Sequence, residues 1–301
     1  MKKYESLLIQ LEKDKSSGSI DIAHKACNIF LTFADEMDEC SEKNIYNELL
    51  KISTRIINTQ PDMALIYNLV FGCIESFGKN GTTKDIVNYI DNFINSLKNS
   101  LNLITNQAVK IIKRAPTIGT ISYSGSVKHF IMEYSKHNDS FQVIISESSP
   151  GDEGIHLAHE LQLKNINLLL IPDSCWFIYG ERCDAFVVGA DAITEEFFIN
   201  KAGSSVLALV ARAFRRPFYV LGSKLKIMPK QVFQQSRVKR LTNEEWNPKI
   251  DDSIPYEAPM FERVPLELVT RIIAEDGMLT REMIMKKASM LSNLVELLKN
   301  I

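Results

Sequence analysis

The chain has 301 residues, about two domains' worth, and its 45% hydrophobic and 24% charged residues form a globular balance that excludes disordered, collagen-like and coiled-coil classes. A formal net charge of -2 argues against non-specific nucleic-acid binding by the whole chain, because such binding neutralises many phosphates, and no direct DNA binding is expected. Residues 1 to about 115 carry apolar side chains at helical spacing, as in Leu7, Leu8 and Leu11 or Ile86, Ile90, Phe93, Ile94 and Leu97, which predicts a helical bundle. Five short β-rich runs then follow: Thr117 to Ser122, Phe141 to Ser146, Asn167 to Pro172, Ala185 to Val188 and Phe218 to Leu221. They are nearly continuous in apolar residues and mostly separated by helix-length segments, the pattern of parallel strands covered on both faces and joined by right-handed crossovers. The predicted fold class is therefore α/β: an N-terminal helical domain, 1–115, followed by a Rossmann-like parallel-sheet domain, 116–301. Within the latter, Lys239 to Pro265 is rich in Pro, Asp and Asn and reads as a long excursion, while Leu266 to Ile273 and Glu282 to Leu298 read as helices.

In such a sheet the ligand lies beyond the carboxyl ends of the strands, so the residues after each run are the candidates. These are Ser122-Tyr123-Ser124-Gly125-Ser126, Glu147-Ser148-Ser149-Pro150, Asp173-Ser174, Gly189-Ala190-Asp191 and Gly222-Ser223-Lys224. Ser124, Gly125 and Ser126 would open a helix running to about Ser135, offering hydroxyls and unpaired N–H groups either to an anion or simply as a cap. Asp191 follows the apolar Ala185 to Val188 run at the mouth of the expected cleft, where desolvation would raise its pKa and suit it to acid or base work; the other reading is a cap on the next helix. Asn200-Lys201-Ala202-Gly203-Ser204-Ser205 places an amide, an ammonium and a helix start together, a cradle for a phosphorylated small molecule or, for Lys201, a solvated position.

The remaining features carry less chemistry. His156 and His159 are three apart without a third ligand, and Cys27, Cys40, Cys73, Cys175 and Cys183 are odd in number and contain no C-x-x-C, so no metal, cofactor or disulfide framework is expected. Cysteine usage fits a reducing cytoplasm, and neither a signal-peptide core nor a run near the ~18 apolar residues of a membrane span is present. A soluble, cytoplasmic protein without membrane partners is expected. From Lys201 to Arg240 there are ten Lys or Arg and no Asp or Glu. That run would meet an acidic partner or nucleic acid, or be neutralised by Glu244, Glu245, Asp251 and Asp252. Met228, Met260 and Met278 to Met290 read as core filler.

Taken together, the segments Ser146-Glu147-Ser148-Ser149-Pro150, Asp173-Ser174, Val187 to Ile193, Asn200-Lys201-Ala202-Gly203, Pro217 to Val220 and Phe261 to Val269 resemble the initiation factor 2B family. That family unites the alpha, beta and delta regulatory subunits of translation initiation factor 2B, their archaeal relatives, and isomerases of ribose 1,5-bisphosphate and methylthioribose 1-phosphate. The resemblance implies a homodimer or larger assembly, an initiation factor 2 like partner, and a phosphorylated sugar or nucleotide as ligand. It also implies site residues. In the isomerases a Cys of a Thr-His-Cys-Asn motif works with the Asp of Val-Gly-Ala-Asp; here Ser122 stands at the Cys and Asp191 at the Asp. Ser149 replaces an Arg, Glu153 a Gln, and Ser17-Gly18-Ser19 an Arg-Gly-Ala, whereas Asn200 and Lys201 match. A hydroxyl is a far poorer acid than a thiol of pKa about 8.5. The expectation is a regulatory protein without the isomerase chemistry; the alternative is an aldose-ketose isomerase in which Asp191 is acid or base, Ser122 its partner, and Ser124 to Ser126, Glu147, Asn200 and Lys201 bind the ligand.

Overall fold

The computed structural model describes residues 2–14, 17–138, 140–234, 253–254, 256–293 and 296. It begins with helices α1 (Lys3–Glu12), α2 (Ser19–Met37), α3 (Glu42–Thr59), α4 (Ala64–Asn80) and α5 (Thr83–Ile111). Their boundaries follow local chemistry. Gly81 closes α4 in the left-handed region at φ 71°, and Thr82 caps α5 by accepting from the Asp85 N–H. Ile22, Ala26, Phe30 and Phe33 of α2 share one core with Leu65 and Leu69 of α4 and with Ile86, Ile90 and Phe93 of α5. At 29 residues, α5 runs about 43 Å. Its later residues Ile104 and Ala108, with Ile112 just beyond it, enter a different core beside the sheet, so one helix ties the bundle to the strands.

After α5 come β1 (Thr117–Thr120), α6 (Gly125–Ser135), β2 (Gln142–Ser146), α7 (Glu153–Gln162), β3 (Asn167–Ile171), the short α8 (Trp176–Tyr179) and β4 (Ala185–Gly189). They are followed by β5 (Ala192–Ile193), β6 (Phe197–Lys201), α9 (Ser204–Ala213), β7 (Phe218–Leu221) and α10 (Gln231–Gln234). The chain then forms β8 (Phe261–Pro265), β9 (Arg271–Ala274), β10 (Gly277–Leu279) and α11 (Arg281–Met290). The main sheet has the order β10-β9-β7-β4-β1-β2-β3, parallel except for the β9-β10 hairpin. Ile118, Val143, Ile145, Ala185 and Val187 face the core shared with α5, α6 and α7; Ile144, Phe186, Val188 and Val220 face the one shared with α9 and α11. Burial on both faces is why these runs lack alternation. The strand order reverses between β1 and β4, and a cleft opens at their carboxyl ends.

The five expected strands are in place within two residues of their expected ends. One expectation is corrected: Leu266 to Ile273 is not a helix but a single 3-10 turn, Leu266–Leu268, followed by β9. Its apolar spacing imitates a helix, yet Ile272 and Ile273 alternate between the two cores once β9 pairs with β7, so tertiary burial overrides the local period. A separate antiparallel sheet, β5-β6-β8, was not foreseen. Of the expected Glu282 to Leu298 helix, α11 covers the part to Met290; 294, 295, 297 and 298 lie outside the described residues. So does most of the Lys239 to Pro265 excursion, with Lys239, Arg240, Glu244, Glu245, Asp251 and Asp252, as does Arg237. Among the described residues no helix is long and apolar enough to cross a membrane.

Candidate functional site

The cleft at the β1/β4 switch point holds about 180 Å³ of space open to water and is flanked by the start of α2 and by Leu101 of α5. Beyond β1 the chain turns through Ser122, whose φ of 66° is left-handed and whose N–H donates to Ser148 Oγ at 2.7 Å. Ser124 then caps α6, accepting from the Val127 N–H. Gly189 at the end of β4 is required by this approach, since a Cβ there would lie 2.3 Å from Ser124 Oγ. Ser148 and Ser149 donate their backbone N–H groups to the Asp173 carboxylate at 3.0 and 2.7 Å, which fixes the loop after β2 against the end of β3.

Asp191 sits on the cleft wall between β4 and β5, held by its own backbone: its N–H donates to Ile199 O and its carbonyl accepts from the Ala64 N–H at the start of α4. Burial pushes its carboxyl above the ordinary range, against the opposing pull of the Lys226 charge and the Ser19 hydroxyl. Lys226, in the segment after β7, donates to Ser19 Oγ at 2.9 Å and to Ala190 O at 2.5 Å. Burial pushes this ammonium's pKa down, and Asp191 counters it. Lys226 thus joins the first turn of α2 to the end of β4.

Of the residues picked out from sequence, Ser122, Ser124, Gly125, Ser126, Asp191 and Asn200 line the cleft. Asn200 on β6 donates Nδ2 to Ser204 Oγ at 2.9 Å, leaving its Oδ1 as an acceptor. Glu147 and Lys201 are not among the lining residues. Glu147 is engaged through its backbone with Ile171 O and the Gly154 N–H. Lys201 is 2% exposed, and its ammonium donates to Glu153, 2.8 Å from Oε2 and 3.0 Å from Oε1, and to the Pro150 carbonyl. Burial lowers the Lys201 pKa and raises that of Glu153, each opposed by the other's charge. Sequence reasoning missed Lys226; the polar set after β7 stopped at Lys224, two residues short. It also missed the mouth of the cleft, where Lys128 donates to Tyr123 Oη at 2.6 Å and to Glu160 at 2.9 Å while Tyr123 donates to Glu160 at 2.8 Å.

Chemically, the cleft offers a carboxylate that retains its proton to higher pH than usual, a buried ammonium and several hydroxyls. Among the described residues that line it there is neither a cysteine nor an arginine. Among the described residues no three His, Cys, Asp or Glu side chains gather as a metal site.

Comparison with known proteins places this geometry. Residues 15–281 match the model of the initiation factor 2 subunit family, IF-2B. A Pyrococcus abyssi protein named translation initiation factor eIF-2B subunit 2-like is 31% identical over 225 residues, 74% of this chain and 79% of that protein. The ribose 1,5-bisphosphate isomerase of Archaeoglobus fulgidus is 27% identical over 291 residues, 93% of this chain and 91% of that one. The solved structure of Pyrococcus horikoshii OT3 translation initiation factor eIF-2B has the same fold, with a TM-score of 0.80 at 24% identity over 93% of this chain and 97% of that chain. The protein is a member of the initiation factor 2 subunit family.

Proposed function

We propose that the chain is a regulatory protein of the initiation factor 2B type, acting through its surfaces and without the isomerase chemistry of its family. The observation that carries this is the state of Lys201: the one ammonium that matches the isomerase pattern is spent on Glu153 and the Pro150 carbonyl. A phosphate there would have to displace a bonded carboxylate and meet its charge. Ser122 in place of a thiol removes a second proton-transfer group, because an alcohol does not ionise in the range where a thiol does. In this reading the helical part, 1–115, and the sheet part, 116–301, are the working units of a cytoplasmic homodimer or larger assembly that docks an initiation factor 2 like partner. Phe177 and Ile178 on α8, 67% and 71% exposed, and Val206 and Leu209 on α9 support self-association.

The test is incubation of the purified protein with ribose 1,5-bisphosphate and methylthioribose 1-phosphate, with ketose followed by proton NMR. No turnover is expected. Turnover that Asp191→Asn abolishes would establish the second reading, an aldose-ketose isomerase, which the raised Asp191 pKa and the cleft position of Asn200 favour. Sedimentation equilibrium tests the assembly: a dimer that Ile178→Asp dissociates is expected, and a monomeric wild-type protein removes that part of the proposal.

A further inference from the structure

The cleft's charges and hydrogen-bond directions point to a ligand class that neither the fold nor the family implies. Among the described lining residues the carboxylates are Asp21, Glu153 and Asp191, and the ammonium groups are Lys128 and Lys226. Both ammonium groups are already committed within the protein, Lys128 to Tyr123 and Glu160, Lys226 to Ser19 and Ala190 O. Lys201, behind the wall, is neutralised by Glu153. Among the described residues an incoming phosphate therefore finds no ammonium without an internal partner, and the member of the Lys201–Glu153 pair that lines the cleft is the carboxylate. Acceptors are plentiful by contrast: the Asp191 carboxylate, Asn200 Oδ1 with its amide nitrogen turned to Ser204, and the hydroxyls of Ser122 and Ser126, each of which can accept as well as donate. Apolar side chains, Met63 and Met260 among them, complete the lining.

We propose that this cleft binds a small polyhydroxylated molecule without a phosphate group, neutral or carrying an amine: an unphosphorylated sugar, polyol or amino sugar. The ligand donates its hydroxyl or ammonium hydrogens to Asp191 and Asn200, and its carbon skeleton covers the methionines. This deepens the reading of the cleft as a non-isomerising one by naming what it takes up.

The test is a thermal-shift panel on the full chain, confirmed by calorimetry, with ribose, ribitol and glucosamine against ribose 5-phosphate and inorganic phosphate. Ligands that bind the folded state raise its melting temperature in proportion to their occupancy. The expected result is a rise with glucosamine and with at least one neutral polyol, and a smaller rise or none with ribose 5-phosphate and phosphate. Asp191→Asn should weaken glucosamine about tenfold, the loss of one charge-assisted hydrogen bond. Glu153→Gln should strengthen ribose 5-phosphate about tenfold or more by releasing the Lys201 charge, and circular dichroism verifies that each variant is folded. A shift with ribose 5-phosphate equal to or above that with ribose overturns the proposal, as does a panel with no shift at all. Neither outcome reports turnover, so the absence of isomerase chemistry is decided separately, by the ketose assay.

Discussion

The Lys201–Glu153 pair makes a quantitative test of the charge state on which the functional reading depends. The side chains are 2% and 17% exposed and approach to 2.8 Å. Deleting one member of a buried pair costs about 3–5 kcal/mol, chiefly because the other charge is stranded. Lys201→Met should fall near the lower end, about 3 kcal/mol at pH 8, since Glu153 relieves its stranding by taking up a proton. The sign with pH follows from that escape. Burial already holds the Glu153 carboxyl above its ordinary value, and loss of Lys201 lifts it further. The variant's fold therefore prefers the proton: stability is fully present below the unfolded pKa of about 4.3 and is lost as pH rises through the folded value. Thermal unfolding at pH 5 and pH 8 should give a small deficit at the former and a drop of roughly 6 °C at the latter. The double variant Lys201→Met, Glu153→Met, with no stranded charge, should return to within about 1 kcal/mol of the wild type. A Lys201→Met loss below about 1 kcal/mol at pH 8, or one that does not change with pH, or a double variant worse than the single, would refute the pairing.

Other consequences can be checked separately. Gly154→Ala should cost at least about 3 kcal/mol, because its Cβ would stand 1.8 Å from the Ser146 carbonyl oxygen, backbone that cannot yield; a melting temperature within a degree of wild type would contradict the packing of α7 on β2. Carbon-detected NMR titration of the Asp191 carboxyl should give a midpoint above the ordinary value of about 3.9, so its contribution to stability is lost as pH rises through that midpoint, and a midpoint at or below 3.9 would refute the account of its burial. Ser122→Cys should remain without isomerase turnover in the NMR assay, since the restored thiol leaves Lys201 paired; ketose formation by this variant would mean that only the sulfur was missing. Lys226→Met should speed amide exchange in the first turn of α2, where Ser19 loses the Lys226 ammonium and keeps only Asp191, and unchanged exchange there would remove the tethering role.

The sequence disclosed the sheet because its central strands are buried on both faces, which leaves unbroken apolar runs that local reading detects. It failed where the determinant was nonlocal. Leu266 to Ile273 has helical spacing, and only pairing with β7 makes Ile272 and Ile273 a strand. The β5-β6-β8 sheet joins Phe197 to Pro265 across the Lys239 to Pro265 excursion, a separation no window spans. The site divides in the same way. Ser122, Ser124, Asp191 and Asn200 were legible because strand ends in this topology converge on one place. Lys226 is bonded to Ser19, 207 residues away, and Lys201 to Glu153, 48 residues away, so charge state could not be read from either neighbourhood.

On the proposed reading, that last pairing is what would cost a fold shared by isomerases its phosphate site while keeping its lysine. The resemblance places a glutamine at position 153, and an amide there can accept a hydrogen bond from Lys201 without cancelling its charge, leaving a monopole whose field reaches across the cleft. A carboxylate at the same place converts the pair into a dipole, whose field decays faster with distance and whose negative end, Glu153, is the member that lines the cleft. An anion on the cleft side therefore meets the repulsive end first. On the proposed reading, one oxygen in place of one nitrogen is enough to disfavour an anion there, which is why function in this family has to be argued from charges at the site and not from the fold.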